Sequence, residues 1–194
     1  MTRLKYFIPF IIASMASCTS CSNKDIQATD HGHIVDVFPF LLTSPAFLSG
    51  DTIPMLYTCD STNISPPLHW KTEPNNTASF ALIMDDPDAP AGTWVHWIVY
   101  NIPGKDTGLA KHFPMDSVLS NGIKQGFSSF RTTGYGGPCP PEGTHRYFFK
   151  LYALDAILNV PSRLTKTQLL AAMNGHILGE TEMTGRYTRK KKAQ

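Results

Sequence analysis

No run of about 18 uncharged apolar residues occurs in this chain, which excludes a membrane-spanning helix. No heptad or fixed-period repeat is present either, so coiled-coil and solenoid architectures are excluded. The sequence has no phosphate-cradling P-loop, no Gly-x-Ser-x-Gly elbow and no His-Glu-x-x-His, and no nucleophile-and-base pair stands out. Charge is sparse, at 16% of residues, and unevenly placed. Residues 19–185 hold 10 basic against 15 acidic side chains, a net of −5, while the excess cations crowd the two ends. A body this acidic argues against a duplex-binding surface, so nucleic acid is not expected as a partner. Of the four cysteines, only Cys59 and Cys139 lie in the body.

What is present begins with Arg3 and Lys5, a short apolar stretch over residues 6–12, and small residues leading into Cys18. That order has the form of a secretory signal, and Cys18 after Met-Ala-Ser resembles a lipoprotein box in which the cysteine is lipidated. The expected organisation is a signal peptide over 1–18, a flexible tether over 19–38, one domain over 39–189 and a basic tail over 190–194. The implied location is exported, periplasmic or cell-envelope, with peripheral membrane attachment through a lipid at Cys18. His31 and His33 on the tether read as inert rather than as metal ligands, and Lys190 to Lys192 as a solubilising tail. In an oxidising compartment a Cys59–Cys139 bridge would close a loop of roughly 80 residues, worth about 4 kcal/mol in the loop-entropy account. Two small buried thiols are the competing reading, and the sequence leaves both open.

The 15 prolines and 14 glycines chop the body into short segments suited to strands. Phe80-Ala81-Leu82-Ile83-Met84 is a continuous apolar run ended by Asp-Asp-Pro, the pattern of a buried strand. Residues 94–102 and 146–154 are rich in aromatic and β-branched side chains and predict two more strands. Thr165-Lys166-Thr167-Gln168 has the form of a capping box and predicts a helix ending near Asn174-Gly175. Many short strands with one or two short helices give an all-β fold with minor α, an antiparallel β-sandwich.

Three polar clusters sit at the ends of these strands. In Asp85-Asp86-Pro87-Asp88-Ala89-Pro90, the first proline forces Asp86 out of the helical region and the second stiffens the exit. Any single Asp-Pro taken alone is an ordinary acidic turn. In Trp94-Val95-His96-Trp97, strand alternation places His96 with Trp94, Ile98 and Tyr100, opposite Val95, Trp97 and Val99. A lone histidine among aromatics is usually a hydrogen-bonded core residue. The third cluster, residues 134–147, is a Gly- and Pro-rich loop that delivers His145 at the start of a strand, with Tyr147 on the same face and Arg146 on the other. Two imidazoles and a phenol converging on one point form an anion pocket in outline.

In this order the pieces resemble the phosphatidylethanolamine-binding protein family, in its bacterial Raf-kinase-inhibitor-like branch. The similarity runs from about Thr43 to Arg189 through Ser44-Pro45-Ala46-Phe47, Tyr57-Thr58-Cys59-Asp60, Asn63-Ile64-Ser65-Pro66-Pro67-Leu68, Asp86-Pro87-Asp88-Ala89-Pro90, His96-Trp97, Gly137-Pro138-Cys139-Pro140-Pro141, His145-Arg146-Tyr147 and Gly175-His176-Ile177-Leu178. The resemblance implies a Greek-key β-sandwich with a small anion pocket for phosphate-like groups. Carried over by motif, Asp86, His96, His145 and Tyr147 line that pocket, Pro90, Gly137 and Pro138 shape its rim, and Asp88 supports the turn. Ser128 and Arg131 depart from the family pattern, and Arg131 is expected to avoid a left-handed backbone and to add a cation near the mouth. The function implied is an exported, non-catalytic protein binding a phosphate-like anion or a phospholipid head group, with recognition or inhibition of a protein partner downstream. No cofactor or metal is implied. Kinase or protease inhibition through protein contact is the alternative, and phosphoester hydrolysis by Asp86 with His96 or His145 a lesser one. Cys139 as a nucleophile is disfavoured by its flanking prolines.

Overall fold

The computed structural model describes residues 39–189. The expected signal peptide with Cys18, the expected tether with His31 and His33, and the basic tail lie outside the described residues. In chain order the elements are β1 (Leu41–Thr43), a 3-10 turn (Met55–Tyr57), β2 (Leu68–Lys71), β3 (Ser79–Asp86), β4 (Trp94–Pro103), β5 (Gly108–Leu109), β6 (Lys124–Gln125), β7 (Thr144–Leu154), α1 (Lys166–Met173) and β8 (Ile177–Thr188).

The strands form a 3-stranded sheet ordered β1-β2-β5 and a 5-stranded sheet ordered β6-β4-β3-β7-β8, with antiparallel pairing throughout. Every residue of β3 is buried, which explains its uninterrupted apolar run. One of its faces, with Phe80, Leu82 and Met84, packs with Leu68 and Trp70 of the smaller sheet. Ala81 and Ile83 on the other face join Ile98, Tyr100 and Leu154 beneath Leu169 and Met173 of α1. Each such large side chain contributes about 1.5–3 kcal/mol on burial, so both layers anchor the central strands. The one α-helix among the described residues starts where the capping box predicts: Thr165 accepts from the Gln168 backbone N–H at 3.3 Å, and Gln168 Oε1 accepts from the Thr165 N–H at 2.9 Å. Lys166, in its first turn, ion-pairs with buried Asp85 of β3 and ties the helix to the sheet.

Strict alternation fails in β4, where the pairing with β3 shifts twice, between Phe80 and Leu82 and between Met84 and Asp85. At the first shift Asn101 takes φ 55 and exchanges two 2.9 Å hydrogen bonds with the backbone of Leu158. At the second, Met84 pairs Trp97 but Asp85 pairs Val95, so His96 is the extra residue of a β-bulge. The expected grouping of His96 with Ile98 and Tyr100 is therefore corrected. Those two lie under the helix with Val95 packed against them, whereas His96 turns to the other face and meets Tyr147 edge-on at 5.2 Å. Arg131 is a second correction, for it adopts φ 62. Its turn is closed by hydrogen bonds from Arg131 N–H to the Ser128 carbonyl (3.0 Å) and from Ser128 N–H to the Thr132 carbonyl (2.9 Å), which outweigh the cost of a left-handed non-glycine residue.

Cys59 and Cys139 are bridged, with Cα atoms 5.4 Å apart. The bridge fastens the segment after the 3-10 turn to the loop before β7, beside a hydrogen bond from Cys59 N–H to the Pro138 carbonyl at 3.1 Å. Gly137 is packed too closely for any side chain, since a β-carbon there would collide with the Asn63 side chain and the Tyr57 carbonyl. In unreduced protein, alkylation is expected to leave Cys59 and Cys139 unmodified. Urea unfolding of the reduced form is expected to show a loss of about 4 kcal/mol; equal stability of the two forms would refute the structural role of the bridge.

Candidate functional site

The site grows from the end of β3. Asp86 Oδ1 accepts the Asp88 backbone N–H at 2.8 Å, and Oδ2 meets His145 Nδ1 at 2.7 Å. The proline between the aspartates holds the chain extended so that both contacts form at once. Asp88 points the other way and clamps the start of β7, accepting from the Arg146 backbone N–H (2.9 Å), Nε (2.8 Å) and Nη2 (2.6 Å). These hydrogen bonds from Arg146 hold the Asp88 carboxyl down at about 2, against an ordinary 3.8. Asp88 thus supports the turn and takes no place on the cavity wall.

Across the sheet, the β4 bulge delivers His96, whose Nδ1 donates to the Gly136 carbonyl at 2.6 Å. Burial pushes its imidazole below the ordinary 6.5. Tyr147, two residues beyond His145 on the same face of β7, is wholly buried, with its hydroxyl beside the Asp86 carboxylate and the Cys139 backbone. Burial raises its pKa, with the Asp86 carboxylate as a further cause.

Between these side chains lies a cleft of about 320 Å³. Of the sequence-predicted residues, Asp86, His96, His145 and Pro90 are on its wall. Tyr147 lies behind that wall. Gly137 and Pro138 are structural instead: Gly137 N–H donates to Asn63 Oδ1 at 2.8 Å, and the Pro138 carbonyl receives Cys59. Trp94, Phe130, Cys139, Pro140 and Pro141 complete much of the wall and were not read from the sequence as site residues. Trp94 had a legible signal, since strand alternation groups it with His96, and in the structure it pairs with Asp86 at the end of the same strand pair. Phe130 had none; it reaches the cleft only because its turn folds back to place its ring edge-on to Trp94 and to His96, both at 5.4 Å. Arg131 lines a neighbouring cleft beside α1, so the expected cation at this mouth is absent from the wall. Cys139 holds its sulfur in the disulfide and has no thiolate to offer.

The Asp88 clamp makes a pH prediction. Its carboxyl titrates lower in the folded state than the ordinary 3.8, so its stabilisation is complete above 3.8 and is lost as pH falls through about 2. Thermal unfolding of the Asp88→Asn variant should fall below that of the parent at neutral pH, and the gap should close in this acid window. A gap that persists at the acid end would refute the ion pair as its source.

The sequence matches the family described as phosphatidylethanolamine-binding protein over residues 43–188. A UPF0098 protein of Methanothermobacter thermautotrophicus is 49% identical over 148 residues, covering 76% of this chain and 98% of that one. A crystal structure of a phosphatidylethanolamine-binding protein homologue from Chlamydia trachomatis superposes with a TM-score of 0.71 at 42% identity, covering 77% of this chain and 97% of the other. That of E. coli YbcL, described as a member of the mammalian family, gives 0.72 at 34% identity, over 78% and 99%. With the whole described sandwich matched in sequence and in fold, the chain belongs to the phosphatidylethanolamine-binding protein family.

Proposed function

We propose that this chain is an exported, non-catalytic binding protein whose cleft accepts a phosphate-like anion, free or as the head group of a phospholipid, with recognition of a protein partner downstream. The observation that carries the reading is the convergence of His96 and His145, from two different strands, with Asp86 on the wall of one cleft. His96 and His145 each commit Nδ1 to the protein, which leaves both Nε2 atoms for a ligand. The cleft volume of about 320 Å³ suits a small head group and is at the low end for ligand sites. A cysteine nucleophile is ruled out at this cleft by the bonded sulfur of Cys139. Export and lipid attachment rest on Arg3, Lys5, the apolar stretch and Cys18. The Asp86–His145 pair favours one second reading, phosphoester hydrolysis, because a carboxylate-oriented imidazole can move a proton.

Titration calorimetry with inorganic phosphate and phosphoethanolamine should give measurable heat, and His145→Ala should weaken binding by about 10- to 100-fold, the equivalent of one hydrogen bond to a charged ligand. No heat, or binding untouched by that substitution, would overturn the pocket; turnover of a phosphoester panel would overturn the non-catalytic reading. Cys18→Ser should move the protein from the membrane to the soluble fraction of its native envelope. An unchanged distribution would rule out the lipid anchor.

A further inference from the structure

The loop of residues 135–141 joins two parts of the molecule that are distant in sequence. On one side it builds the cleft: the Gly136 carbonyl accepts from His96 Nδ1 at 2.6 Å, the Gly136 N–H donates to the His96 carbonyl at 3.0 Å, and Cys139, Pro140 and Pro141 form wall. On the other side it is fastened to residues 57–63. The Tyr135 hydroxyl donates to the Tyr57 carbonyl (2.7 Å), the Gly137 N–H to Asn63 Oδ1 (2.8 Å) and the Cys59 N–H to the Pro138 carbonyl (3.1 Å). Pro138, Pro140 and Pro141 have no N–H, so a backbone ladder cannot hold this stretch, and the Cys59–Cys139 bridge is its covalent fastening. Cys139 is exposed and Cys59 half-buried, which makes Cys139, on the cleft wall, the half of the bridge open to solvent.

We infer that this bridge is a redox control on the cleft: a dithiol that opens it releases the loop and lowers the affinity for the anion. A thiolate of the reductant attacks Cys139 Sγ, the sulfur–sulfur bond breaks, and Cys59 leaves as a thiolate that takes up a proton. The second thiol of the same reductant then attacks the mixed disulfide and releases Cys139 as a thiol. Two protein thiols and one disulfide in the reductant result, so electrons and protons balance. The partner is accordingly a dithiol, either a small molecule or a dithiol protein. The inference goes beyond the head-group reading above, and its affinity measurement alone rests on that reading.

With the bridge open, the loop depends on the hydrogen bonds above and on the packing of buried Tyr135. The two cysteines are 80 residues apart in sequence, so no short connection limits their separation once the bond is cut. His96 then loses the fixed carbonyl that orients its ring, and the cleft loses the wall from Cys139 to Pro141. Asp86 and His145 keep their contact, because the turn after β3 and the start of β7 hold them independently of this loop. The coupling is reciprocal: a ligand that prefers the closed loop protects the bridge from the reductant by the same factor by which reduction weakens its binding.

The test compares the full chain in its oxidised form, its dithiothreitol-reduced form and the double variant Cys59→Ser, Cys139→Ser, with phosphoethanolamine as the probe. Calorimetry should show binding about tenfold or more weaker in the reduced protein, and weaker to the same degree in the double variant. Saturating phosphoethanolamine should raise, by an equal factor, the ratio of reduced to oxidised dithiothreitol at which half of the bridge is open. Nuclear magnetic resonance, which needs no ligand, should find the Gly136 and Gly137 amide signals shifted or broadened on reduction, while those of Ala81 to Met84 keep their positions. Equal affinity in the oxidised and reduced forms, or Gly136 and Gly137 signals unmoved by reduction, would overturn the inference. Collapse of the whole spectrum would show that the bridge holds the fold rather than the cleft and would overturn it as well. No binding of phosphoethanolamine by the oxidised protein would instead overturn the head-group reading, and the Gly136 and Gly137 signals would still decide this one.

Discussion

The carboxylate of Asp86 fixes three pieces of chain in one place. It ends β3, caps its own turn through the Asp88 N–H and holds the His145 ring of β7, all within hydrogen-bond distance. Asp88, two residues on, secures the outer side of the same junction through Arg146. Because a buried carboxylate must be hydrogen-bonded, these contacts are obligatory, and they fix the imidazole orientation on which the cleft depends. The neighbouring Asp85 points to the other face and is met there by Lys166 and Lys150. Two successive aspartates therefore do opposite work: one builds the cleft and the other anchors the helix behind it.

Rigidity in this region comes from covalent and steric constraints more than from added polar contacts. Prolines on both sides of the cleft fix backbone angles, the Cys59–Cys139 bridge ties its loop to the 3-10 segment, and Gly137 lies where no β-carbon fits. Such a wall is stiff. The result is a cleft whose polar side chains, Asp86, His96 and His145, are held in fixed orientations.

Much of the fold was legible along the chain. The apolar run of β3, the aromatic strands β4 and β7, and the capping box of α1 each have a local cause, and the described elements lie where those causes put them. The candidate site was legible in part, through polar residues at strand ends. The side to which His96 turns was not, because alternation has no way to register a bulge that arises from pairing with β3. The left-handed Arg131 was hidden for a similar reason, as its turn is stabilised by partners only the folded loop supplies.

Composition and local pattern by themselves determined a β-rich sandwich, the Asp-Pro turn and the phase of β7 that sends His145 and Tyr147 inward, since these follow from backbone sterics and the two-residue repeat of a strand. Only the tertiary structure decided which aromatic rings close the cleft, that Tyr147 lies behind its wall, and that among the described residues no Lys or Arg lines it. Those outcomes depend on register, bulges and loop paths, where segments distant in sequence compete for the same space and no local rule chooses the winner.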